Sequence, residues 1–67
     1  MPTLEEHVVR ILGEATEPLF ASEIADHLNR ELRTRYTNTE MVELLKRMPE
    51  QVAQLPDGRW MLKRLML

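Results

Sequence analysis

The first apolar stripe of the chain has the spacing of an amphipathic helix. Its members recur at intervals of three and four residues: Leu4, Val8, Ile11, Leu12 and Ala15. Thr3 precedes the stripe and Glu6 follows three residues later, which is the pattern of a capping box. A proline follows at position 18. The sequence therefore predicts a helix that begins after Thr3 and ends near Ala15.

A second helix is predicted after a short apolar run at residues 19–21, which is long enough for only a brief strand. Ser22 has the residue type of an N-cap. The buried stripe of this helix consists of Ile24, Ala25, Leu28 and Leu32. A polar, basic connector follows at residues 29–36, of which residues 30–33 could still belong to the helix.

The third predicted helix spans residues 37–48 and opens with a second capping box, Thr37 with Glu40. Its apolar positions again have helical spacing: Met41, Leu44, Leu45 and Met48. Pro49 should end it, because the residue before a proline disfavours the helical region.

The last segment changes from helical to strand periodicity. Val52 and Leu55 lead into Pro56, Asp57 and Gly58, a combination typical of a tight turn. A second strand is predicted over residues 59–63, with Trp60 and Leu62 on one face. The expected order is helix, short strand, helix, helix and hairpin. This is a mainly α protein with a small β-hairpin, of the α+β class.

Length and composition limit what the chain can be. Its 67 residues predict one domain over residues 1–67. The sequence contains no cysteine, which excludes disulfides and thiolate metal sites and fits a cytoplasmic protein. No apolar run approaches the roughly 20 residues of a membrane span. Acidic residues occupy the place of a signal peptide's basic region. We therefore expect a cytoplasmic protein without a membrane partner.

The order of elements resembles the winged helix-turn-helix superfamily over nearly the whole chain. Two segments carry the resemblance: Pro18 to Ala25, with a proline and a short strand before a helix, and Asp57 to Leu62, with glycine, a basic residue, an aromatic residue and a leucine. Together they resemble the amino-terminal winged-helix domain of bacterial RNA polymerase delta subunits and domains of some restriction and chromatin proteins. The connector at residues 29–36 is longer than the three or four residues of a tight helix-turn-helix.

The resemblance implies DNA contact through the helix at 37–48 and the wing at 52–64, in a regulatory or accessory role. The distribution of charge also favours DNA contact in this region. Residues 30–67 carry eight basic and five acidic side chains, whereas residues 1–29 carry one basic and six acidic side chains. The candidate nucleic-acid-binding residues are Arg33, Arg35, Tyr36, Asn38, Thr39, Lys46, Arg47, Arg59 and Lys63. Asn38 and Thr39 would lie nearest the bases and the cations nearest the phosphates.

A protein-interaction adaptor or a homodimer without nucleic-acid binding is the alternative. Glu40 and Glu43 lie on the helix face that would meet DNA, and Glu43 could pair with Lys46 and Arg47. Strand alternation would also leave three apolar residues outside the core, as a possible interaction surface: Met61, Leu65 and Leu67. Packing of the first helix over them is the other explanation of these residues.

An enzyme is not expected. His7 and His27 fall on different helices without a second ligand at metal-site spacing, and Ser22 has no partner for nucleophilic work. Neither glycine belongs to a phosphate-binding loop. The sequence thus predicts no cofactor, no metal and no small-molecule substrate.

Overall fold

A computed structural model describes residues 3–66 of the chain. Within them, three helices precede a two-stranded antiparallel hairpin and a final turn of 3₁₀ helix. The elements are α1 (Leu4–Glu14), α2 (Ala21–Leu32), α3 (Asn38–Lys46), β1 (Val52–Gln54), β2 (Trp60–Leu62) and the 3₁₀ helix Lys63–Leu65. The predicted mainly α architecture with a small hairpin is confirmed, in a winged-helix-like layout.

The two threonine capping boxes form as predicted. The Thr3 hydroxyl accepts from the Glu6 backbone N–H at 3.2 Å, and the Glu6 carboxylate accepts from the Thr3 backbone N–H at 3.3 Å. At α3 the Thr37 hydroxyl accepts from the Glu40 N–H at 3.1 Å, and the return bond is 3.0 Å. These bonds satisfy backbone donors that have no partner inside the helix, which fixes where α1 and α3 begin.

The start of α2 differs from the prediction that Ser22 caps it. The N-cap is Phe20, whose backbone N–H donates to the Glu23 carboxylate at 2.9 Å. Glu23 therefore supplies the acidic side of a capping box without a hydroxyl partner. Ser22 lies exposed in the first turn. The prediction was wrong because the acid three residues after the cap, and not the hydroxyl, decides this helix start.

The connection between α2 and α3 is shorter than residues 29–36, because residues 30–32 belong to the helix, as the sequence allowed. The helix continues to Leu32 and ends at Arg33, which has a left-handed backbone with φ 56° and ψ 45°. Only residues 33–37 separate the two helices. At its other end α3 stops at Lys46, two residues before the predicted limit, with Arg47 as its C-cap.

β2 pairs with β1 in the two-stranded sheet and makes one isolated bridge on its other side. Val52 pairs with Leu62, Ala53 with Met61 and Gln54 with Trp60. On its other side Trp60 exchanges backbone hydrogen bonds of 3.0 and 2.7 Å with Leu19. The brief strand expected at residues 19–21 is therefore a single bridge.

The hairpin turn closes with the Leu55 N–H donating to the Arg59 carbonyl at 2.7 Å. Gly58 has φ +97°, a conformation that strains any residue with a Cβ. The second strand is shorter than the predicted 59–63, because Lys63 begins the 3₁₀ helix.

The core lies between the three helices and the inner face of the hairpin. Most of its members belong to the predicted stripes or to the inner face of the hairpin, and Ala21 joins them: Val8, Ile11, Leu12, Ala21, Ile24, Ala25, Leu28, Met41, Leu44, Leu45, Met48, Val52, Trp60 and Leu62. Leu4, Ala15 and Leu32, predicted for the stripes of α1 and α2, are only partly buried. No polar or charged residue is buried among residues 3–66, so hydrophobic packing is the main source of stability.

Candidate nucleic-acid interface

The exposed side of α3 carries most of the predicted contact residues. Asn38 and Thr39 occupy its first turn and Lys46 its last, and all three are exposed. Arg47 follows as the C-cap and is exposed as well. The buried positions Met41, Leu44 and Leu45 hold the opposite side against the core. Core packing thus turns these four polar side chains towards solvent.

Three arginines are engaged in ion pairs within residues 3–66. Arg10 on α1 contacts Glu14 at 2.7 Å and also Glu31 on α2. Arg30 contacts Asp26 one helical turn away. The third is the hairpin residue Arg59, which contacts Asp57 at 2.7 Å.

The remaining arginine and lysine side chains have no acidic partner within 4 Å among residues 3–66. They are Arg33, Arg35, Lys46, Arg47, Lys63 and Arg64. Four of them, at positions 33, 35, 46 and 47, belong to the connector and α3. Of the six cations among the candidate nucleic-acid-binding residues, Arg59 has an acidic partner and the other five do not.

Arg59 contacts Asp57 in its own hairpin and lies near the ring of Phe20. Its backbone N–H donates to the Asp57 carboxylate at 3.0 Å and its Nε donates at 2.7 Å. These two hydrogen bonds lower the pKa of Asp57, and the side-chain bond raises the pKa of Arg59. The guanidinium carbon also lies 5.8 Å from the centre of the Phe20 ring. A phosphate would have to compete with these contacts for the arginine.

Asn29 organises the connector that carries Arg33 and Arg35. Its side-chain oxygen accepts from the Thr34 hydroxyl at 2.9 Å and from the Tyr36 N–H at 2.8 Å. Its amide nitrogen donates to the Tyr36 carbonyl at 3.0 Å. One side chain therefore fixes the path of the chain from α2 to α3. Sequence reasoning missed this role, although an asparagine close to a helix end, before a polar connector, is a recognisable signal.

Tyr36 is half-buried and packs against the core, so only part of its ring faces solvent. It borders a pocket of about 140 Å³ whose other walls come from the start of α1 and from α3. Two of those wall residues are the acidic Glu40 and Glu43. The predicted contact of Tyr36 with a ligand would therefore take place beside these two carboxylates and Arg47, which lines the same pocket.

Glu43 does not form the ion pairs that would neutralise α3. It is exposed, and among residues 3–66 no cation lies within 4 Å of its carboxylate. Glu40, by contrast, is bound to the Thr37 backbone in the capping box. The α3 surface therefore carries one unpaired carboxylate among its unpaired cations.

Lys63 and Arg64 follow the second strand and belong to the 3₁₀ helix. Lys63 is exposed, and its backbone N–H donates to the Gln51 carbonyl at 2.9 Å. Arg64 turns towards α1, where its Nη2 lies 3.3 Å from the position that a Cβ on Gly13 would occupy. The second strand ends at Leu62, and strand alternation does not extend to these two residues.

The apolar residues proposed for an interaction surface lie in different environments. Met61 is half-buried, and Leu65 is 51% exposed. Both line a groove with Leu12 and Ala15, so α1 covers Met61 in part and leaves Leu65 open. Leu67, the third predicted member, lies outside the described residues.

Within residues 3–66, no group of three or more histidine, cysteine, aspartate or glutamate side chains is placed to hold a metal ion. The described helices include none that is long and apolar enough to cross a membrane. A depression of about 340 Å³ lies between α1 and α2, and Arg10 in its wall contacts both Glu14 and Glu31.

A comparison of the chain with known protein families, with curated proteins and with solved structures finds no match.

Proposed function

We propose that the chain is a non-catalytic cytoplasmic module that contacts nucleic acid, most directly duplex DNA, in a regulatory or accessory role. The contact surface, called here the connector–α3 surface, comprises Arg33, Arg35, Asn38, Thr39, Lys46 and Arg47. The observation that carries the proposal is that its four cations have no acidic partner within 4 Å among residues 3–66.

Unpaired cations suit phosphate binding for an energetic reason. Neutralising a phosphate releases condensed counterions, and this release supplies most of the free energy of non-specific binding. A cation that is already bound to a carboxylate must first lose that interaction. Lys46 and Arg47 therefore have an advantage over Arg59, whose guanidinium contacts Asp57. The proposal thus moves phosphate contact from the hairpin towards α3.

Asn38 and Thr39 have the position and chemistry for contacts with base edges. Both are exposed in the first turn of α3, and the beginning of a recognition helix is the part that reaches bases in helix-turn-helix complexes. An asparagine amide can both donate to and accept from adenine in the major groove. The cations at the two ends of the surface would then set the orientation of α3 on the duplex.

The test compares two pairs of substitutions that change net charge equally. Fluorescence anisotropy with a labelled mixed-sequence duplex at low salt gives the dissociation constant of the wild type. We expect K46A/R47A to weaken binding about tenfold and to reduce the salt slope by about 2, one unit for each phosphate contact. The control R30A/R59A removes two cations that are already paired, with Asp26 and with Asp57, and should change affinity less than about twofold.

Two results would overturn the proposal. One is the absence of wild-type binding at low salt, where non-specific attraction is strongest. The other is an equal loss of affinity in the two double variants, because binding would then depend on net charge and not on the connector–α3 surface.

A further inference from the structure

A small pocket adjoins the connector–α3 surface and is called here the Tyr36 pocket. It measures about 140 Å³ and lies where the start of α1, the connector and α3 meet. Sites that enclose a drug-sized ligand measure roughly 300–1,000 Å³, so the Tyr36 pocket suits one planar group and not a whole nucleotide. Arg47 belongs both to its wall and to the connector–α3 surface. A strand of nucleic acid on that surface would therefore run beside the Tyr36 pocket.

The wall of the Tyr36 pocket combines an aromatic residue with aliphatic ones. Tyr36 is half-buried in it, and the apolar part of the wall consists of Leu4, Met41 and Leu44. Aromatic side chains stack on the flat faces of unstacked nucleobases. A base inside a duplex keeps its faces against its neighbours and is not open to such stacking. The apolar wall thus favours a base that is unpaired.

The charges of the wall separate a base from a phosphate. Glu40 and Glu43 repel a phosphate from the interior, whereas Arg47 attracts one. The cationic side chain of a partner protein would meet Arg47 in the same wall. An uncharged planar group that donates hydrogen bonds, with a phosphate attached outside the pocket, fits this arrangement best. A nucleobase on its own backbone has this chemistry.

The free carboxylate in the wall favours one base over the others. The Glu40 carboxylate is bound to the Thr37 backbone, whereas Glu43 is exposed and has no cation within 4 Å among residues 3–66. An ionised carboxylate only accepts hydrogen bonds. Guanine presents two adjacent donors on its pairing edge, N1–H and the 2-amino group, which can reach both oxygens of one carboxylate. Adenine, cytosine and thymine each place an acceptor beside their donor, and a carboxylate repels it.

We propose that the Tyr36 pocket binds an unpaired guanine of a DNA strand held by the connector–α3 surface. The base stacks on Tyr36, its N1–H and 2-amino group donate to Glu43, and Arg47 contacts a phosphate of the same strand. The inference rests on the proposed function, since the connector–α3 surface supplies the backbone contacts. It adds a preference for duplex DNA that has a guanine in an adjoining single strand.

Fluorescence anisotropy with a set of matched duplexes tests the assignment. The baseline is a blunt duplex, and the other ligands extend it by short thymine overhangs of both polarities, in which one thymine stays or is replaced by guanine or inosine. Inosine differs from guanine only by the missing 2-amino group. We expect the guanine overhang to bind about fivefold more tightly than the thymine overhang and at least about twofold more tightly than the inosine overhang.

Glu43→Gln tests whether the preference comes from the Tyr36 pocket. The side chain is exposed, so the variant should stay folded, and its ratio of guanine to thymine affinity should fall below about 1.5. Glu50→Gln is the control, because Glu50 is also exposed, has no cation within 4 Å among residues 3–66 and lies outside the pocket wall. This variant should keep the fivefold ratio.

The ratio between overhangs is measured separately from binding of the blunt duplex, so the two proposals can fail separately. A chain that binds the blunt duplex but takes guanine, inosine and thymine overhangs equally would overturn the base assignment alone. A guanine preference that survives Glu43→Gln would overturn it as well. Absence of binding to every one of these ligands would overturn both proposals.

Discussion

The two halves of the molecule use their charged side chains differently. In residues 4–32 every arginine is engaged: Arg10 bonds to Glu14 and Glu31, and Arg30 contacts Asp26. In residues 33–66 only Arg59 is engaged, and its partner lies two residues away in the same turn. The formal net charge of −2 does not show this difference, because it sums the charges of both halves. Which surface can attract phosphate depends on pairing, and not on the charge of the whole chain.

The difference has a structural cause in the end of α3. Arg10 with Glu14 and Asp26 with Arg30 are spaced by four residues inside a helix, and both pairs form. Glu43 and Arg47 have the same spacing, but α3 ends at Lys46 and Arg47 is its cap, with φ −88° and ψ 2°. The Arg47 N–H donates to the Leu44 carbonyl, three residues back, so the Glu43–Arg47 pair lies across the end of the helix and not inside it. No ion pair between the two is found within residues 3–66.

The largest expected effects concern packing, in which the two halves should not differ. Leu28 on α2 and Leu45 on α3 are both completely buried. Leu28→Ala and Leu45→Ala should each lower the free energy of unfolding by about 2–5 kcal/mol, through lost transfer energy and the cavity left behind. Urea denaturation followed by circular dichroism measures both. A loss below about 1 kcal/mol for Leu45→Ala alone would show that α3 is not part of the same core.

A smaller effect is expected at the junction between the halves. Asn29→Ala removes three hydrogen bonds to Thr34 and Tyr36. It should destabilise the chain by about 1–3 kcal/mol, since partly buried backbone groups of Tyr36 lose their partners. Denaturation measures this loss, and amide hydrogen exchange should become faster in residues 33–37. Unchanged exchange there would mean that Asn29 does not hold the connector.

The unpaired carboxylate of α3 gives a prediction of opposite sign. Glu43→Gln removes a negative charge from the connector–α3 surface and should strengthen DNA binding about threefold at low salt. Glu5→Gln removes the same charge from α1 and is the control, with an expected change below about 1.5-fold. Anisotropy titrations of both variants measure the difference. Equal strengthening would mean that only net charge matters.

The smallest expected effect concerns the pair between Arg59 and Asp57, which contains the one paired arginine of residues 33–66. Hydrogen bonds from the Arg59 backbone and side chain hold the pKa of Asp57 below the usual aspartate range. Because that pKa is lowered, the pair stabilises the fold above the carboxyl's unfolded-state pKa, and this contribution disappears as the pH falls through the folded-state pKa. NMR titration should show a lowered pKa. Arg59→Gln should raise it only partway, because the backbone bond remains. A wild-type Asp57 that titrates in the usual range would contradict the pairing.

Local signals in the sequence predicted the fold more successfully than the arrangement of the site. The boxes at Thr3 and Thr37 depend on residues three positions apart, and both form. The path of the connector depends on Asn29 bonds that reach seven residues ahead. The position of Arg64 depends on its approach to Gly13, which is distant in sequence. Periodicity alone cannot predict such contacts, because they join a helix to a connector or to a segment distant in sequence and form only when these parts pack together.

The central claim is that the connector–α3 surface, and not the hairpin or α1, meets nucleic acid. Titration of the ¹⁵N-labelled chain with a short mixed-sequence DNA duplex at low salt tests it most directly, because the amide shifts report both binding and its location. The account predicts that the largest shifts fall at residues 33–47 and that added salt reverses them. Shifts that are absent, or that centre on α1 or on residues 52–66, would contradict it.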